Sequence, residues 1–307
     1  IDGIKFLQVD SKATEFLLFL QGDIDFMNSI DAVFKDQILT RHGELKKEYQ
    51  ASFRLQKHPY LNVEYLGILV DSTKQTNKIL LQKEFRQAIN YGFDRKKLVS
   101  YVRNSIGVPA HQGIIPISLP GYDSNLVRGY TYQPDKAKQL IATLKKKFGP
   151  LPVITLLSND NYSDRCSFIA AQLREIGLQM NIEIMQPSLL REQMSNSNAS
   201  FFWATWIADY PDAECYLTMF YGNNTAPPNY TRFRNAQFDS LYHASLIIAD
   251  EKTKIQLYQQ MDKLVIEEAP CVPLFYDEVM HFVQHRVQHF NTNSSNLIDL
   301  KRVQLAN

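Results

Sequence analysis

Between Pro152 and Met185 the hydrophobic pattern changes period twice, and that change constrains the fold more than any other stretch of the chain. Pro152 to Leu157 is an apolar run of strand length. Arg165 to Ile176 then repeats its apolar positions at helical spacing and stops at Gly177, and Leu178 to Met185 alternates Leu178, Met180, Ile182 and Ile184 with polar residues. Two strands joined through a helix lie parallel, and the crossover that joins them is right-handed. This half of the chain is therefore expected to hold an α/β sheet.

The flanking segments extend that reading. Gly3 to Val9 reads as a strand, Ala13 to Leu20 as a helix ending near Gly22, and Tyr65 to Val70 as a buried strand. Glu84 to Tyr91 puts Phe85, Ala88 and Ile89 on one helical face. Gly92 ends that helix, and Asp94 is placed to cap the next, whose Leu98, Val99 and Val102 repeat the spacing. Gly107 to Tyr122, rich in Pro and Gly, is expected to be a long ordered loop of the kind that covers or lines something. Pro134 opens a helix with Ala137, Leu140, Ile141 and Leu144 inward. Phe201 to Ile207 adds a strand, Ala236 to Ile248 and Thr253 to Glu267 are helices, and Val272 to Tyr276 and Val279 to Val283 return as strands.

Bulk properties exclude several function classes. With 33 Lys+Arg against 32 Asp+Glu and no basic stripe, nucleic acid is not an expected partner. The longest apolar runs are too short to span a bilayer. Cys166, Cys215 and Cys271 lie far apart without a CxxC pair, so three buried thiols are expected, with a Cys215–Cys271 bridge as the alternative. No nucleophile elbow, Walker loop, HExxH or dinucleotide fingerprint occurs, so neither a catalytic residue nor a cofactor is expected. The one dense carboxylate cluster, Asp209 with Asp212 or Glu214, keeps hydrolysis as an outside alternative. His281, His285 and His289 repeat every four residues, read as solvent-facing histidines rather than metal ligands.

Asp209 sits where the aromatic run Phe201 to Ile207 gives way to the turn Ala208-Asp209-Tyr210-Pro211-Asp212. Two readings are open. A carboxylate among aromatic walls attracts an ammonium group more strongly than one in bulk water. Alternatively, Asp209 starts the Pro211 turn by accepting from nearby backbone N–H groups. Trp203, Trp206 and Tyr210 are candidate stacking residues or core, and strand alternation sets Trp203 opposite Trp206. Asn224, within Asn223-Asn224-Thr225, is either a cleft-lining polar residue or turn chemistry.

Four segments in order give a resemblance: Phe85-Arg86-Gln87-Ala88-Ile89-Asn90-Tyr91-Gly92-Phe93-Asp94-Arg95, Tyr132-Gln133-Pro134-Asp135-Lys136-Ala137-Lys138-Gln139-Leu140, Trp206-Ile207-Ala208-Asp209-Tyr210-Pro211-Asp212 and Glu267-Glu268-Ala269-Pro270-Cys271-Val272-Pro273-Leu274. Together they resemble the C-terminal portion of the bacterial extracellular solute-binding proteins of the oligopeptide- and dipeptide-binding family. The resemblance implies an α/β, periplasmic-binding-protein-like lobe (type II, cluster C), with a mixed sheet flanked by helices, plus part of a first lobe. It implies a division into 1–61 (partial first lobe), 62–281 (second, ligand-binding lobe) and 282–307 (return to the first lobe).

It further implies the substrate-binding component of an ABC importer, a monomer that is not an enzyme, capturing extended peptides between two lobes and handing them to an inner-membrane permease. Same-fold receptors for an oligosaccharide, a nickel chelate or haem are the alternative. Asp209 would anchor the peptide's amino end, with Trp206, Tyr210, Trp203 and Asn224 as further ligand-binding candidates. A basic residue that an oligopeptide-binding relative would place near Trp203 is missing, which leaves the carboxylate partner open. The setting would be periplasmic or cell-surface, with or without a lipid anchor. Relatives begin with a substantial further region, so the chain is expected to be a fragment that binds peptide weakly or not at all by itself.

Overall fold

The computed structural model of the chain describes residues 3–9, 11–28, 30 and 32–306, and for Lys12, Ala32 and Val33 the backbone alone. In chain order the helices are α1 (Lys12–Gln21), α2 (Ala32–Ile38), α3 (Lys83–Tyr91), α4 (Arg95–Lys97), α5 (Pro134–Phe148), α6 (Ser163–Glu175), α7 (Pro187–Ser195), α8 (Glu214–Leu217), α9 (Ala236–Ile247) and α10 (Glu251–Glu268). The strands are β1 (Phe26–Asn28), β2 (Phe53–Ile68), β3 (Val108–Pro109), β4 (Ile154–Ser158), β5 (Met180–Ile184), β6 (Phe201–Ile207) and β7 (Cys271–Gln284). Four two-residue strands follow, β8 (Val287–Gln288), β9 (Asn291–Thr292), β10 (Ile298–Asp299) and β11 (Gln304–Leu305).

The chain divides into two units. One comprises Ile1–Tyr60, Val99–Val108 and Asp277–Asn307, the other Leu61–Leu98 and Pro109–Tyr276, and the long strands β2 and β7 run from one into the other. The sequence division at 61/62 and 281/282 kept Val99–Val108 with the second lobe, whereas that segment packs in the first unit. Its polar groups explain why. Lys35 Nζ donates to the Val102 carbonyl, Asn104 Nδ2 donates to Asp36 Oδ1 at 2.7 Å, Arg103 pairs with Asp277 at 2.6 Å, and the Gly107 N–H donates to Glu278 at 2.7 Å.

In the first unit β1 pairs antiparallel with β7 from Phe26↔Val283 to Asn28↔His281. The faces of these elements carry Phe16, Phe19, Met27, Phe53, Met280 and Phe282 into a core where the Phe19 and Phe53 rings meet edge-on at 4.9 Å. Residues 3–9 form no strand, contrary to the sequence expectation. Ile4, Phe6 and Leu7 are exposed, and no described segment offers them a ladder. The two expected late strands are one, since β7 continues through Asp277–Glu278 without a break. His281 is also unlike the solvent-facing residue expected. It is buried against Phe26 and Phe290, with its Nε2 2.9 Å from Asn296 Oδ1, because its position on β7 faces inward.

The second unit contains the anticipated parallel pair, with β4 and β5 in register from Ile154↔Met180 to Ser158↔Ile184. Strand β6 lies between β4 and β2 and is antiparallel to β2 from Ile68↔Phe201 to Asn62↔Ile207, which makes the sheet mixed. Leu61 to Leu69 is buried continuously, as a strand covered on both faces must be. Gly67 is required within it: a Cβ there would sit 2.3 Å from the Phe202 ring on the neighbouring strand.

The helix corner at Gly92 is held by two buried arginines. Arg86, on α3, donates to the carbonyls of Leu80, Leu81, Glu268 and Ala269, the last two closing the C-terminal end of α10 where unpaired carbonyls concentrate negative charge. Arg95 donates to the Pro273 carbonyl at 2.6 Å, the Asn90 carbonyl at 2.8 Å and Asn90 Oδ1 at 2.8 Å, with its guanidinium 4.5 Å from the Phe93 ring centroid. Burial pulls Arg95 down to about 9, so it remains charged at neutral pH. Asp94 caps α4, accepting from the Lys96 and Lys97 N–H groups. The three cysteines are free and buried, and none forms the Cys215–Cys271 bridge held as the alternative.

Candidate functional site

Strand β6 ends at Ile207, but its pairing to β2 continues one step further, through Ala208 N–H to the Leu61 carbonyl at 2.9 Å. On its other side β4 pairs with β6 at Leu157↔Phe202. From Trp203 to Ile207 that second edge has no strand partner among the described residues, so it is the kind of backbone edge that can accept another extended chain. Burial changes at the same place, from Phe201–Ala204 inside to an exposed Thr205 and an exposed Ile207.

The turn beyond the strand is built from side chains that engage one another. Trp206 Nε1 donates to the Cys215 carbonyl at 2.6 Å, tying the strand end to α8. Tyr210 and Tyr242 both donate their hydroxyls to Glu214, one to each carboxylate oxygen. The hydrogen bond to Glu214, then burial, pushes the Tyr210 phenol well up, while burial and then Glu214 do the same for Tyr242. Asp212 accepts from the Glu214 N–H at 2.8 Å and pairs with Lys254 at 3.3 Å.

Asp209 stands apart from this network. It is exposed, and its carboxylate has no hydrogen bond or ion pair among the described residues, in contrast to the turn-initiating role that was the other reading. It therefore lies two residues past an open strand edge with all of its acceptor capacity free.

The remaining candidates occupy different settings. Trp203 is 1% exposed, stacks on Tyr162 at 4.7 Å and donates from Nε1 to the buried Glu64 at 2.6 Å, so it serves the interior rather than presenting a ring to a ligand. Trp206 is half-buried against the core, and Tyr210 is 49% exposed. Asn224 donates to the carbonyl and the hydroxyl of Thr218, both at 2.9 Å, which is turn chemistry. Sequence reasoning missed the two-tyrosine clamp on Glu214. The Tyr210/Glu214 separation of four residues was a visible signal, but Tyr242 arrives from α9 and had none. No group of three or more metal-ligating side chains is found among the described residues.

Comparison with known proteins gives a consistent assignment. The family model "Bacterial extracellular solute-binding proteins, family 5 Middle" matches residues 1–228. The chain is similar to the dipeptide-binding protein DppE of Bacillus subtilis, 24% identical over 98% of this chain and 54% of that protein. It is also similar to heme-binding protein A of Haemophilus influenzae, 26% identical over 75% of this chain and 42% of that one. Among solved structures, the periplasmic binding protein DppA of Helicobacter pylori in complex with the peptide STSA shares the fold with a TM-score of 0.79. It is 19% identical, over 97% of this chain and 56% of that one. The chain thus spans about half the length of the curated relatives it matches. It belongs to family 5 of the bacterial extracellular solute-binding proteins.

Proposed function

We propose, from that family membership, that the protein is the substrate-binding component of an ABC importer. In this reading it captures extended peptides and delivers them to a membrane permease without altering them. The observation that carries the reading is the free carboxylate of Asp209 beside the open edge of β6. An extended peptide adding to that edge satisfies its main chain through strand hydrogen bonds, which are indifferent to side-chain identity. Its protonated amino terminus then meets Asp209 in a charge-assisted hydrogen bond.

Tyr210 extends a partly exposed ring alongside, and Trp206 braces the strand end, so both act on the ligand's first residues. Trp203 and Asn224, committed to the interior and to a turn, are not part of the proposed contact set. The setting is outside the cytoplasmic membrane, consistent with the family description. Among the described residues no helix is long and apolar enough to cross a membrane.

Calorimetry with trialanine and with N-acetyl-trialanine tests this reading. Acetylation removes the ammonium group and is expected to weaken binding by roughly 10- to 150-fold, the worth of a hydrogen bond to a charged group. Asp209→Asn should produce a similar loss for trialanine and almost none for the acetylated peptide. Equal affinity for both peptides would refute the anchor. A second reading rests on the haem-binding relative, in which Asp209 contacts no amine; tight haem binding together with no peptide binding would favour it.

A further inference from the structure

We infer that the second unit carries an additional site for a small organic anion with a flat apolar body, independent of Asp209 and sharing no residue with it. A cleft of about 380 Å³ is formed by α3, the loop 125–130 and α10. This volume falls within the ordinary range of ligand pockets, about 300–1,000 Å³. Beneath it lies the small buried cluster of Val127, Tyr130, Ile266 and Ala269, against which the half-buried Tyr91, itself lining the cleft, packs with its ring edge-on to Tyr130 at 4.7 Å. Leu126 stands exposed at its side.

The charges at the cleft point to the ligand. Arg128 and Lys263 both line it, and neither side chain has a hydrogen bond or ion pair among the described residues. Two acids of this region have partners of their own. Glu267, which also lines the cleft, pairs with Lys83 at 3.4 Å, and Asp123 accepts from the N–H groups of Asn125 and Leu126. Two cations without ion pairs of their own, beside the half-buried Tyr91 ring and the exposed Leu126, suit an anionic head joined to a planar hydrocarbon.

The loop that presents Arg128 is fixed before any ligand arrives. Besides the Asp123 turn, Gly129 lies so close to the Gln112 carbonyl that a Cβ would come within 1.8 Å of its oxygen, and the Tyr130 hydroxyl donates to the Ile266 carbonyl at 2.7 Å. A preformed wall loses little conformational freedom on binding, so two modest charge contacts can suffice.

The test is ¹⁹F and ¹⁵N NMR titration of this chain with 4-fluorobenzoate, 4-fluorophenyl phosphate and the neutral 4-fluorobenzyl alcohol. Saturable binding of either anion that shifts the Gly129 and Val127 amides, weakens about tenfold or more in R128Q/K263Q, and is absent for the alcohol supports the site. The two anions separate a carboxylate preference from a phosphate preference. Both substituted side chains are exposed and unpartnered, so an unchanged melting temperature will show that the double variant is folded. Absence of saturable binding by both anions up to about 10 mM overturns the site, as does equal binding by the double variant or by the alcohol.

Discussion

Asp262 of α10 is 2% exposed, and no cation pairs with it among the described residues; what it accepts is the Ile114 N–H at 2.8 Å, supplemented by the Ile115 N–H. Its carboxylate lies directly against Gly113, where a Cβ would fall 1.8 Å from an oxygen, so the side chain pins the long loop to α10. Burial outweighs the two N–H donors and pushes the group from its ordinary 3.8 up to about 7. The folded state therefore holds the proton more tightly than the unfolded chain. Stability from this source is fully present below about pH 4, falls as pH rises, and is gone once pH passes the folded value near 7. At 1.36 kcal/mol per pH unit, the interval from 3.8 to 7 corresponds to about 4 kcal/mol.

Asp262→Asn keeps a carbonyl oxygen for Ile114 and removes the titration. Both tryptophans, Trp203 and Trp206, lie in the same unit as Asp262, so their fluorescence reports its unfolding. Urea unfolding of wild type and variant between pH 4 and 8 should show the variant gaining on the wild type by up to about 4 kcal/mol as pH rises. Stability curves that stay parallel over this range would mean that Asp262 ionises at its ordinary value in the fold, and the argument would fail.

Other expectations follow from the same geometry. Arg95→Met leaves four buried acceptors, the Pro273, Asn90 and Tyr130 carbonyls and Asn90 Oδ1, without their charged donor, and should lower unfolding stability by roughly 3–5 kcal/mol in denaturant titration. Trp203→Phe removes the Nε1–H donor to buried Glu64 while retaining the stack on Tyr162, with an expected cost of about 1–3 kcal/mol by the same assay. The three cysteines should resist a thiol reagent at pH 8 in the native protein and all react in denaturant, since all are buried and burial pushes Cys166 up to about 11. Rapid native labelling of any of them would contradict their placement.

Much of the fold is carried by local pattern. The parallel pair β4 and β5, α6 between them, the Asp94 cap and the Pro134 start each follow from periodicity or from one residue's bonding capacity, and such signals act over a few positions. Arg86 and Arg95 bracket the helix corner in the sequence, and some of their acceptors, Leu80, Leu81 and Asn90, are local, but those at Glu268, Ala269 and Pro273 sit some 180 residues away and only folding discloses them. The first half of β2 escaped notice because Arg54, Gln56, Lys57 and His58 dilute its apolar pattern. Helix α7 offered only Leu190 and Met194 to the core.

The residue order alone determined where the aromatic strand stops and that an acid follows it two positions later. Whether that acid is consumed by its own turn was decided in three dimensions. Glu214, clamped by Tyr210 and Tyr242, and Asp212, paired with Lys254, satisfy the turn without Asp209. Likewise the two tryptophans look equivalent in a list of residues. The sheet assigns Trp203 to the interior beside Glu64 and Trp206 to the strand end, because alternate side chains of β6 leave by opposite faces and the neighbours on those faces come from distant parts of the chain.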